Sequence, residues 1–334
     1  MTVPVARSAA VPPWMLAVAA MLFVQLSSAL SVSPLTGAAG GMGRVIATEL
    51  ARAGATVVAL TRTASSGDQL VREIVAGTDS RRVQIVVADL AVQADVRRAA
   101  AEVAAHHQAV HLLVNNAGAH YRHHQISPDG IEMNLAVNHL AGFLLTEQLL
   151  PLLRAGSPSR VINVVSAAMA DTRQIKLRRR PRPVTLEATD LRAPQRLSAE
   201  QGYDPFTAYA RAKLLTLMCG YVLAERLRAD RVTVNAVHPG LVATDLIGDV
   251  APAAFRPFLG LLQGALLTPE QGAASPLHLA VDPQLQQVTG AYYERTRPRR
   301  SPPISYHRDL QQLAWTASQT LTGPQPSPSD MGTL

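Results

Sequence analysis

Short apolar runs alternate with longer segments of helical periodicity along most of the chain. Five runs rich in Val, Ile and Leu have the length of buried strands, at 56–60, 83–88, 110–114, 160–165 and 232–236. Between them, apolar residues recur at helical spacing over 43–53, 66–76, 91–105, 130–153 and 207–229. Such alternation is typical of a parallel sheet with crossover helices. The pattern predicts an α/β fold with a doubly wound parallel sheet.

The first 29 residues stand apart as an anchor-like or signal-like segment. Trp14 to Val24 is an uninterrupted apolar run of 11 residues, shorter than the roughly 20 that a spanning helix needs. Arg7 precedes the run, and Ser27-Ser28-Ala29 resembles a small-residue cleavage site. A signal peptide, a signal anchor and an interfacial helix are all compatible with this pattern. We expect a retained membrane anchor.

The remainder divides into one domain over 30–322 and a Pro/Ser-rich tail over 323–334 that we expect to be disordered. Within the domain, 167–206 forms a long basic loop with an Arg178 to Arg182 run, and 251–267 is apolar. We interpret 173–190 as a surface insertion, because burying such a charged loop would be costly. The apolar segment suits a mobile lid as well as it suits an ordinary packed amphipathic helix.

Composition narrows the function classes. Hydrophobic residues make up 48% and charged residues 16%, enough for a substantial core. The net charge of +7 sits largely in two short arginine-rich runs. Neither a basic helix nor interleaved aromatic and basic residues accompany these runs, so we do not expect nucleic acid to bind. The lone Cys219 lies in an apolar helical stretch and is interpreted as a core residue.

A glycine cluster opens the first predicted helix. Gly37, Gly41 and Gly43 would allow a tight turn and let a pyrophosphate approach the backbone at the helix N-terminus. The second strand then ends at Arg62, where an NAD site would need a carboxylate and an NADP site an arginine. Arg44 could add a second positive charge. This pattern favours NADP, with NAD left open. Pro34 precedes the cluster and, because it removes a ladder donor, predicts a distorted first strand.

A tyrosine and a lysine share one face of a later helix. Tyr209 and Lys213 are spaced one turn apart. We expect the ammonium to lower the pKa of the phenol, which would suit it to acid–base work at neutral pH. Ser166 ends an apolar strand, at the edge where open α/β sheets bind ligands. Its hydroxyl could orient a substrate oxygen.

These pieces together resemble the short-chain dehydrogenase/reductase family, in its retinol dehydrogenase-like branch. The resemblance also rests on Asn115-Asn116-Ala117-Gly118, Asp89-Leu90, Val137-Asn138-His139-Leu140 and Pro239-Gly240 with Thr244. It implies a Rossmann-type fold and a catalytic set of Asn138, Ser166, Tyr209 and Lys213. It further implies a cofactor site formed by Gly37, Gly41, Met42, Gly43, Arg62, Asp89, Asn116, Tyr209, Lys213, Pro239 and Thr244.

The resemblance implies an oxidoreductase that interconverts a lipophilic alcohol, such as a retinoid or isoprenoid, with its aldehyde or ketone. Such relatives are usually membrane-associated, so we expect contact with a membrane surface, at the endoplasmic reticulum, with a secreted or cytosolic form left open. A homodimer is compatible with the sequence. The alternative is a catalytically silent protein of the same fold that binds nicotinamide as a regulator or scaffold. The complete Asn, Ser, Tyr and Lys set argues against that alternative.

Overall fold

A single eight-stranded sheet organises the protein. The computed structural model describes residues 31–172, 182–243 and 266–323. Their strands are β1 Val32–Thr36, β2 Thr56–Thr61, β3 Val83–Val87, β4 Leu112–Asn115, β5 Ser159–Val164, β6 Val232–His238, β7 Tyr292–Glu294 and β8 Arg297–Arg299. The spatial order is β3-β2-β1-β4-β5-β6-β7-β8, parallel throughout except for the antiparallel β7–β8 pair. The predicted parallel α/β fold is confirmed, and its strand order reverses between β1 and β4, where this class of sheet binds ligands.

Helices cover both faces of the sheet. They are α1 Gly41–Arg52, α2 Ala64–Thr78, α3 Gln93–His106, α4 Met133–Leu135, α5 Ala141–Ala155, α6 Ala188–Arg192, α7 Pro205–Arg226, α8 Pro269–Val281 and α9 Arg308–Thr322. One hydrophobic core joins the sheet to α3, α5, α7 and α9, and a second joins it to α1, α2 and α8. Cys219 lies buried in the first core, as expected. Among the three described ranges, no helix combines the length and the apolar character needed to cross a membrane.

The helix predicted over 130–153 is interrupted. The buried Glu132 carboxylate accepts hydrogen bonds from the main-chain N–H groups of Asn134 and Leu135, each at 2.9 Å, so the helix begins after it. Residues Ala136–Leu140 then form one π-helical turn, closed by the Ala141 N–H bonding Ala136 O. Such a turn bulges the backbone and is frequent at functional sites. It sets Asn138 apart from the regular helix α5 that follows.

Helix α7 carries two of the predicted catalytic residues. Its first turn is fixed by Asp204, whose side chain accepts from Thr207 N at 2.7 Å, and by Pro205, whose preset φ suits the first helical position. The helix therefore begins two residues earlier than its apolar periodicity predicts. It ends at Arg226, whose guanidinium lies 4.1 Å from the centre of the Trp315 ring on α9. This contact fastens α7 to the C-terminal helix.

Pro34 does not prevent the first strand from forming. β1 pairs with β2 over its whole length, including Pro34 opposite Val58. Ser31 O accepts a hydrogen bond from Thr56 N of β2, and Val32 O accepts one from His111 N, just before β4. Successive residues of a strand direct their main-chain polar groups to alternate sides, so the nitrogen of Pro34 faces β4. The β1–β4 register is accordingly restricted to Leu35 opposite Val114. The expected distortion is wrong for the strand as a whole, because the missing donor affects one side of it.

Several predicted segments lie partly or wholly outside the described residues. These are the N-terminal segment 1–29, the 323–334 tail apart from Gly323, and most of the 251–267 lid; Leu267 itself pairs with Val242 in an isolated bridge. The basic loop is described on both sides of 173–181, where Thr172 N bonds Arg182 O at 2.8 Å. Val184 and Leu186 are buried in the main core. Arg182 and Glu187 are exposed, so this part lies at the surface with two apolar anchors, and the surface insertion stays a prediction.

Candidate functional site

Ser166 and Tyr209 meet beyond the carboxyl end of β5. Ser166 lies two residues beyond the end of that strand, and Tyr209 comes from the second turn of α7. The Ser166 side chain acts on the Tyr209 phenol and lowers its pKa, and Ser166 Oγ accepts a hydrogen bond from Ala168 N at 3.2 Å. That hydrogen bond fixes the rotamer of the serine. The structure therefore presents two hydroxyls side by side, where a substrate oxygen could bind both.

Lys213 and Asn138 converge on Gly118. Lys213 Nζ lies 5.9 Å from the centre of the Tyr209 ring and donates to Val164 O at 3.1 Å. A Cβ placed on Gly118 would lie 3.3 Å from both Lys213 Nζ and Asn138 Oδ1. Asn138 is held by Ala119, accepting from its N at 3.0 Å and donating to its O at 2.8 Å. All four predicted catalytic side chains are thus brought together.

The protonation energetics differ from the expectation. Burial raises the pKa of Tyr209 to about 12, and the hydrogen bond from Ser166 opposes this only in part. Burial also lowers the pKa of Lys213 to about 8. The prediction that Lys213 lowers the pKa of the Tyr209 phenol is wrong in this structure, because burial disfavours the charged form of each group, the phenolate and the ammonium. The phenol is therefore protonated at neutral pH, and its raised pKa makes it a weaker acid than an exposed tyrosine.

The glycine loop forms a cradle that larger residues would fill. Gly37 adopts φ +65°, which glycine tolerates best. A Cβ on Gly43 would lie 2.0 Å from Gly37 O and 2.7 Å from Asn116 Nδ2. Gly41 opens α1 and is exposed. No acidic residue occupies the first turn of α1. The helix N-terminus therefore faces the loop with free N–H groups, which suits a pyrophosphate.

Asn116 fastens this loop to the neighbouring strand. Its main-chain N donates to Thr36 Oγ1 and its Nδ2 to Thr36 O, each at 3.0 Å. Thr36 Oγ1 also accepts from Ala117 N at 3.0 Å. Thr36 is thus a structural partner that sequence reasoning left without a role, although it opens the glycine motif. These bonds join the ends of β1 and β4 at the point where the strand order reverses.

The two arginines predicted to favour NADP lie on α1 and directly after β2. Arg62 directly follows β2, is exposed, and interacts with the Tyr121 hydroxyl. Arg44 donates to Ala39 O of the glycine loop at 3.0 Å and pairs with Glu73 at 2.9 Å. Both positive charges are therefore present beside the loop, although Glu73 already partners one of them.

Three of the remaining predicted cofactor residues can be placed in the fold. Asp89 follows β3, where its carboxylate accepts from Ala91 N at 2.9 Å. Met42 packs against Gly272 of α8. Pro239 follows β6 and is buried. Thr244 lies outside the described residues.

Comparison with known proteins places the chain among dehydrogenases. The family model described as short chain dehydrogenase matches residues 32–175. Retinol dehydrogenase 14 of Mus musculus is 33% identical over 301 residues, covering 86% of this chain and 85% of that protein. Polyprenol dehydrogenase of Mus musculus is 35% identical over 308 residues, covering 90% and 86%.

A solved structure extends the likeness to three dimensions. An NAD(P) dependent gluconate 5-dehydrogenase from Beutenbergia cavernae, with NADP bound at low occupancy, aligns with a TM-score of 0.58 and 27% identity. The alignment covers 79% of this chain and 94% of that one. The likeness therefore extends over most of the fold.

Proposed function

The chain belongs to the short-chain dehydrogenase/reductase family, and from that premise we propose that it interconverts a lipophilic alcohol with its aldehyde or ketone, using NADP(H). As a member of this family it is an NAD(P)-dependent oxidoreductase acting on CH–OH groups. The observation that carries the proposal is the convergence of Ser166, Tyr209 and Lys213, with Lys213 one helical turn from Tyr209 and next to Asn138 at Gly118. A scaffold without catalysis has no physical need for this arrangement.

Each of the four side chains has a distinct task in the proposed mechanism. In reduction, Tyr209 donates its proton to the carbonyl oxygen as that oxygen gains charge, and Ser166 donates a hydrogen bond that orients the same oxygen. In oxidation, Tyr209 accepts the alcohol proton. Lys213 holds a positive charge near the phenol and would bind the nicotinamide ribose. Asn138 holds the turn from which a relay water would be supported.

The cradle fits a nicotinamide dinucleotide. Gly43 leaves space that a single Cβ would fill, and the α1 N-terminus supplies donors for a pyrophosphate. Gly37, Gly41, Met42, Gly43, Arg62, Asp89, Asn116, Pro239 and Thr244 would hold the cofactor, together with Tyr209 and Lys213. When bound, the cofactor supplies or accepts the hydride. The protein supplies position, proton transfer and electrostatics.

NADP is the preferred cofactor in this proposal. The position after β2 holds Arg62 rather than an acidic residue, and a guanidinium suits the 2′-phosphate of NADP. Arg44 lies beside the loop and adds positive potential there. A carboxylate for the free ribose hydroxyls of NAD is missing at this position.

The lipophilic substrate is inferred from the relatives and from the cleft rim. The relatives named retinol dehydrogenase 14 and polyprenol dehydrogenase suggest a retinoid or isoprenoid alcohol. The side chain of Leu241, just after Pro239-Gly240, is 64% exposed. An exposed leucine at this position suits the apolar tail of such a substrate.

Contact with a membrane surface, at the endoplasmic reticulum, belongs to the same proposal. The apolar run Trp14 to Val24 supports it, as does the poor water solubility of such substrates. The test compares how much full-length protein and how much protein lacking residues 1–29 floats with phospholipid vesicles. Equal recovery of both proteins with the vesicles would contradict an anchoring role for that segment.

The activity is tested with purified full-length protein, NADPH and either retinal or a polyprenal in detergent. We expect NADPH oxidation by the wild type and a loss of about 10²–10⁴-fold in Tyr209→Phe, the range for a positioned acid–base group. NADPH binding, measured by fluorescence titration, should survive the substitution.

Two results would overturn the proposal. One is wild-type protein that binds NADPH yet turns over none of the lipid aldehydes or ketones, and the other is equal activity in Tyr209→Phe. The matched control is Tyr306→Phe, because that tyrosine is 48% exposed and stacks on Tyr221, about three helical turns along α7 from Tyr209. Its activity should equal that of the wild type.

A further inference from the structure

A chain of buried polar side chains leads from the π turn to the C-terminal helix. Thr216 Oγ1 on α7 donates to the main-chain O of Asn138 at 3.1 Å. His139 Nδ1 lies 3.2 Å from Thr216 Oγ1, and His139 Nε2 lies 2.8 Å from Ser318 Oγ on α9. His139 and Ser318 are each 2% exposed. His139 and Ser318 are therefore shielded from bulk water and bond to each other, while the half-buried Thr216 joins them to the π turn.

The imidazole of His139 is neutral at physiological pH. Burial, aided by the positive charge of Lys213, lowers the pKa of His139 to about 3. A neutral ring has one N–H donor and one bare acceptor nitrogen. Which nitrogen carries the hydrogen decides the direction of every bond along the chain.

One tautomer satisfies the catalytic turn and the other does not. With hydrogen on Nδ1, His139 donates to Thr216, and the single hydroxyl hydrogen of Thr216 is left for Asn138 O. Ser318 then donates to Nε2. With hydrogen on Nε2, the bare Nδ1 faces Thr216 and competes for that same hydrogen, so Asn138 O can lose its donor.

Two other carbonyl oxygens lie within hydrogen-bond distance of the Thr216 and Ser318 hydroxyls, but each already has a main-chain donor. Thr216 Oγ1 lies 3.1 Å from Ala212 O, and Ser318 Oγ lies 2.7 Å from Ala314 O. Both carbonyls lie four residues back in regular helices, where the main-chain ladder already supplies a donor. Asn138 O lies in the π turn instead. A donor from a neighbouring helix is therefore worth most at Asn138.

We propose that His139 is a positioning residue, which in its Nδ1–H tautomer commits the Thr216 hydroxyl to the carbonyl of Asn138 and so links α9 to the catalytic turn. The proposal rests on the proposed function in one respect, namely that Asn138 belongs to the active site. His139 touches no reacting atom. Its effect on catalysis passes through Thr216.

Two conservative substitutions separate this role from simple packing. The amide nitrogen of asparagine can stand in for Nδ1, whereas that of glutamine can stand in for Nε2. We expect His139→Asn to keep at least half of the wild-type kcat. We expect His139→Gln to lose roughly tenfold in kcat, equivalent to one hydrogen bond of about 1.4 kcal/mol, because without a donor at the Nδ1 position the Thr216 hydroxyl is free to turn to Ala212 O. KM should stay within twofold, because substrate binding does not use this chain.

Thr216→Val tests the link itself, since it removes the hydroxyl and keeps the shape. It should reproduce the loss seen in His139→Gln. Thr320→Val is the matched control, because the Thr320 hydroxyl bonds only four residues back, to Thr316 O at 3.0 Å, on the exposed face of α9. Its kcat should equal that of the wild type. Thermal unfolding of each variant shows which of them are folded.

The tautomer is measured independently of activity by ¹⁵N NMR of histidine-labelled wild-type protein, with the His139→Asn spectrum assigning the resonance. An Nδ1-protonated ring supports the proposal, and an Nε2-protonated ring overturns it. Equal kcat losses in folded His139→Asn and His139→Gln would also overturn it, since packing alone explains that result. If wild type is inactive on every substrate, the proposed function fails while the tautomer measurement still decides this inference.

Discussion

Gly43→Ala is the sharpest test of the cofactor cradle. The added Cβ would lie 2.0 Å from Gly37 O, whereas a comfortable contact between heavy atoms needs about 3.5 Å. The loop must therefore move by about 1.5 Å, or α1 must shift away from it. Neither atom that the Cβ meets is on a flexible side-chain end that could rotate away freely, because Asn116 Nδ2 is already bonded to Thr36 O.

The size of the effect follows from overpacking. Forcing one extra carbon into a filled space costs about 1–3 kcal/mol. The strain falls on the loop that would contact the pyrophosphate, so we expect the Kd for NADPH to rise about 10- to 100-fold, since each 1.4 kcal/mol is a factor of ten. The free energy of unfolding should fall by a similar amount.

Fluorescence titration with NADPH and chemical unfolding measure both quantities. Gly77→Ala on α2 is the matched control, because nothing lies within 4 Å of the added Cβ. It should leave the Kd unchanged. A Kd within twofold of wild type for Gly43→Ala would refute the view that this glycine leaves room for the dinucleotide.

Three further predictions address charge, protonation and packing. Arg62→Ala should raise the Kd for NADPH by at least about tenfold, because it removes a hydrogen bond to a charged group, and should leave the Kd for NADH unchanged. Arg72→Ala, at an exposed position, is the control. Equal effects of Arg62→Ala on the two Kd values would contradict the assignment of NADP. Because the pKa of Tyr209 is raised to about 12, the rate of carbonyl reduction should not change with pH near neutrality and should fall in the alkaline range. The rate of alcohol oxidation should rise in that range. Profiles of rate against pH in both directions measure this. A reduction rate that rises with alkaline pH would contradict this sign. Leu149→Ala, at a position with no exposed surface, should lower the free energy of unfolding by about 2–5 kcal/mol, whereas a loss under 1 kcal/mol would show that the site collapses to fill the cavity.

Much of the fold follows from local sequence, because apolar periodicity reflects which face of each element is buried. The five strands predicted from apolar runs agree with β2 to β6 within two residues at each end. β7 and β8 escaped prediction, since Tyr292–Glu294 and Arg297–Arg299 have three residues each and β8 is fully exposed. Strands this short are defined by pairing with a neighbour, and that pairing is tertiary information.

The candidate site also combines features that follow from local sequence with features that depend on tertiary contacts. The motifs identify Ser166, Tyr209 and Lys213, since their spacing and strand ends are local features. The π turn around Asn138 and the pKa of the phenol were beyond sequence reasoning. The turn depends on side chains from α7 and on the Glu132 cap, and the pKa depends on how completely the folded chain buries Tyr209. Local spacing suggested that Lys213 would dominate, whereas burial does.

Substitution of Pro34 provides a last test, because it would change the free energy of unfolding through two effects of opposite sign and similar size. Pro34→Val would restore a main-chain donor towards β4, worth about 0.5–1.5 kcal/mol when it finds a partner. The same change frees the unfolded chain from the rigid proline ring, which costs about 0.4–1 kcal/mol. The free energy of unfolding should therefore stay within about 1 kcal/mol of wild type, and the Kd for NADPH within twofold, since β1 is already paired with β2 along its length. A gain of 3 kcal/mol or more, or tighter NADPH binding, would mean that the proline distorts β1 and the cradle that follows it.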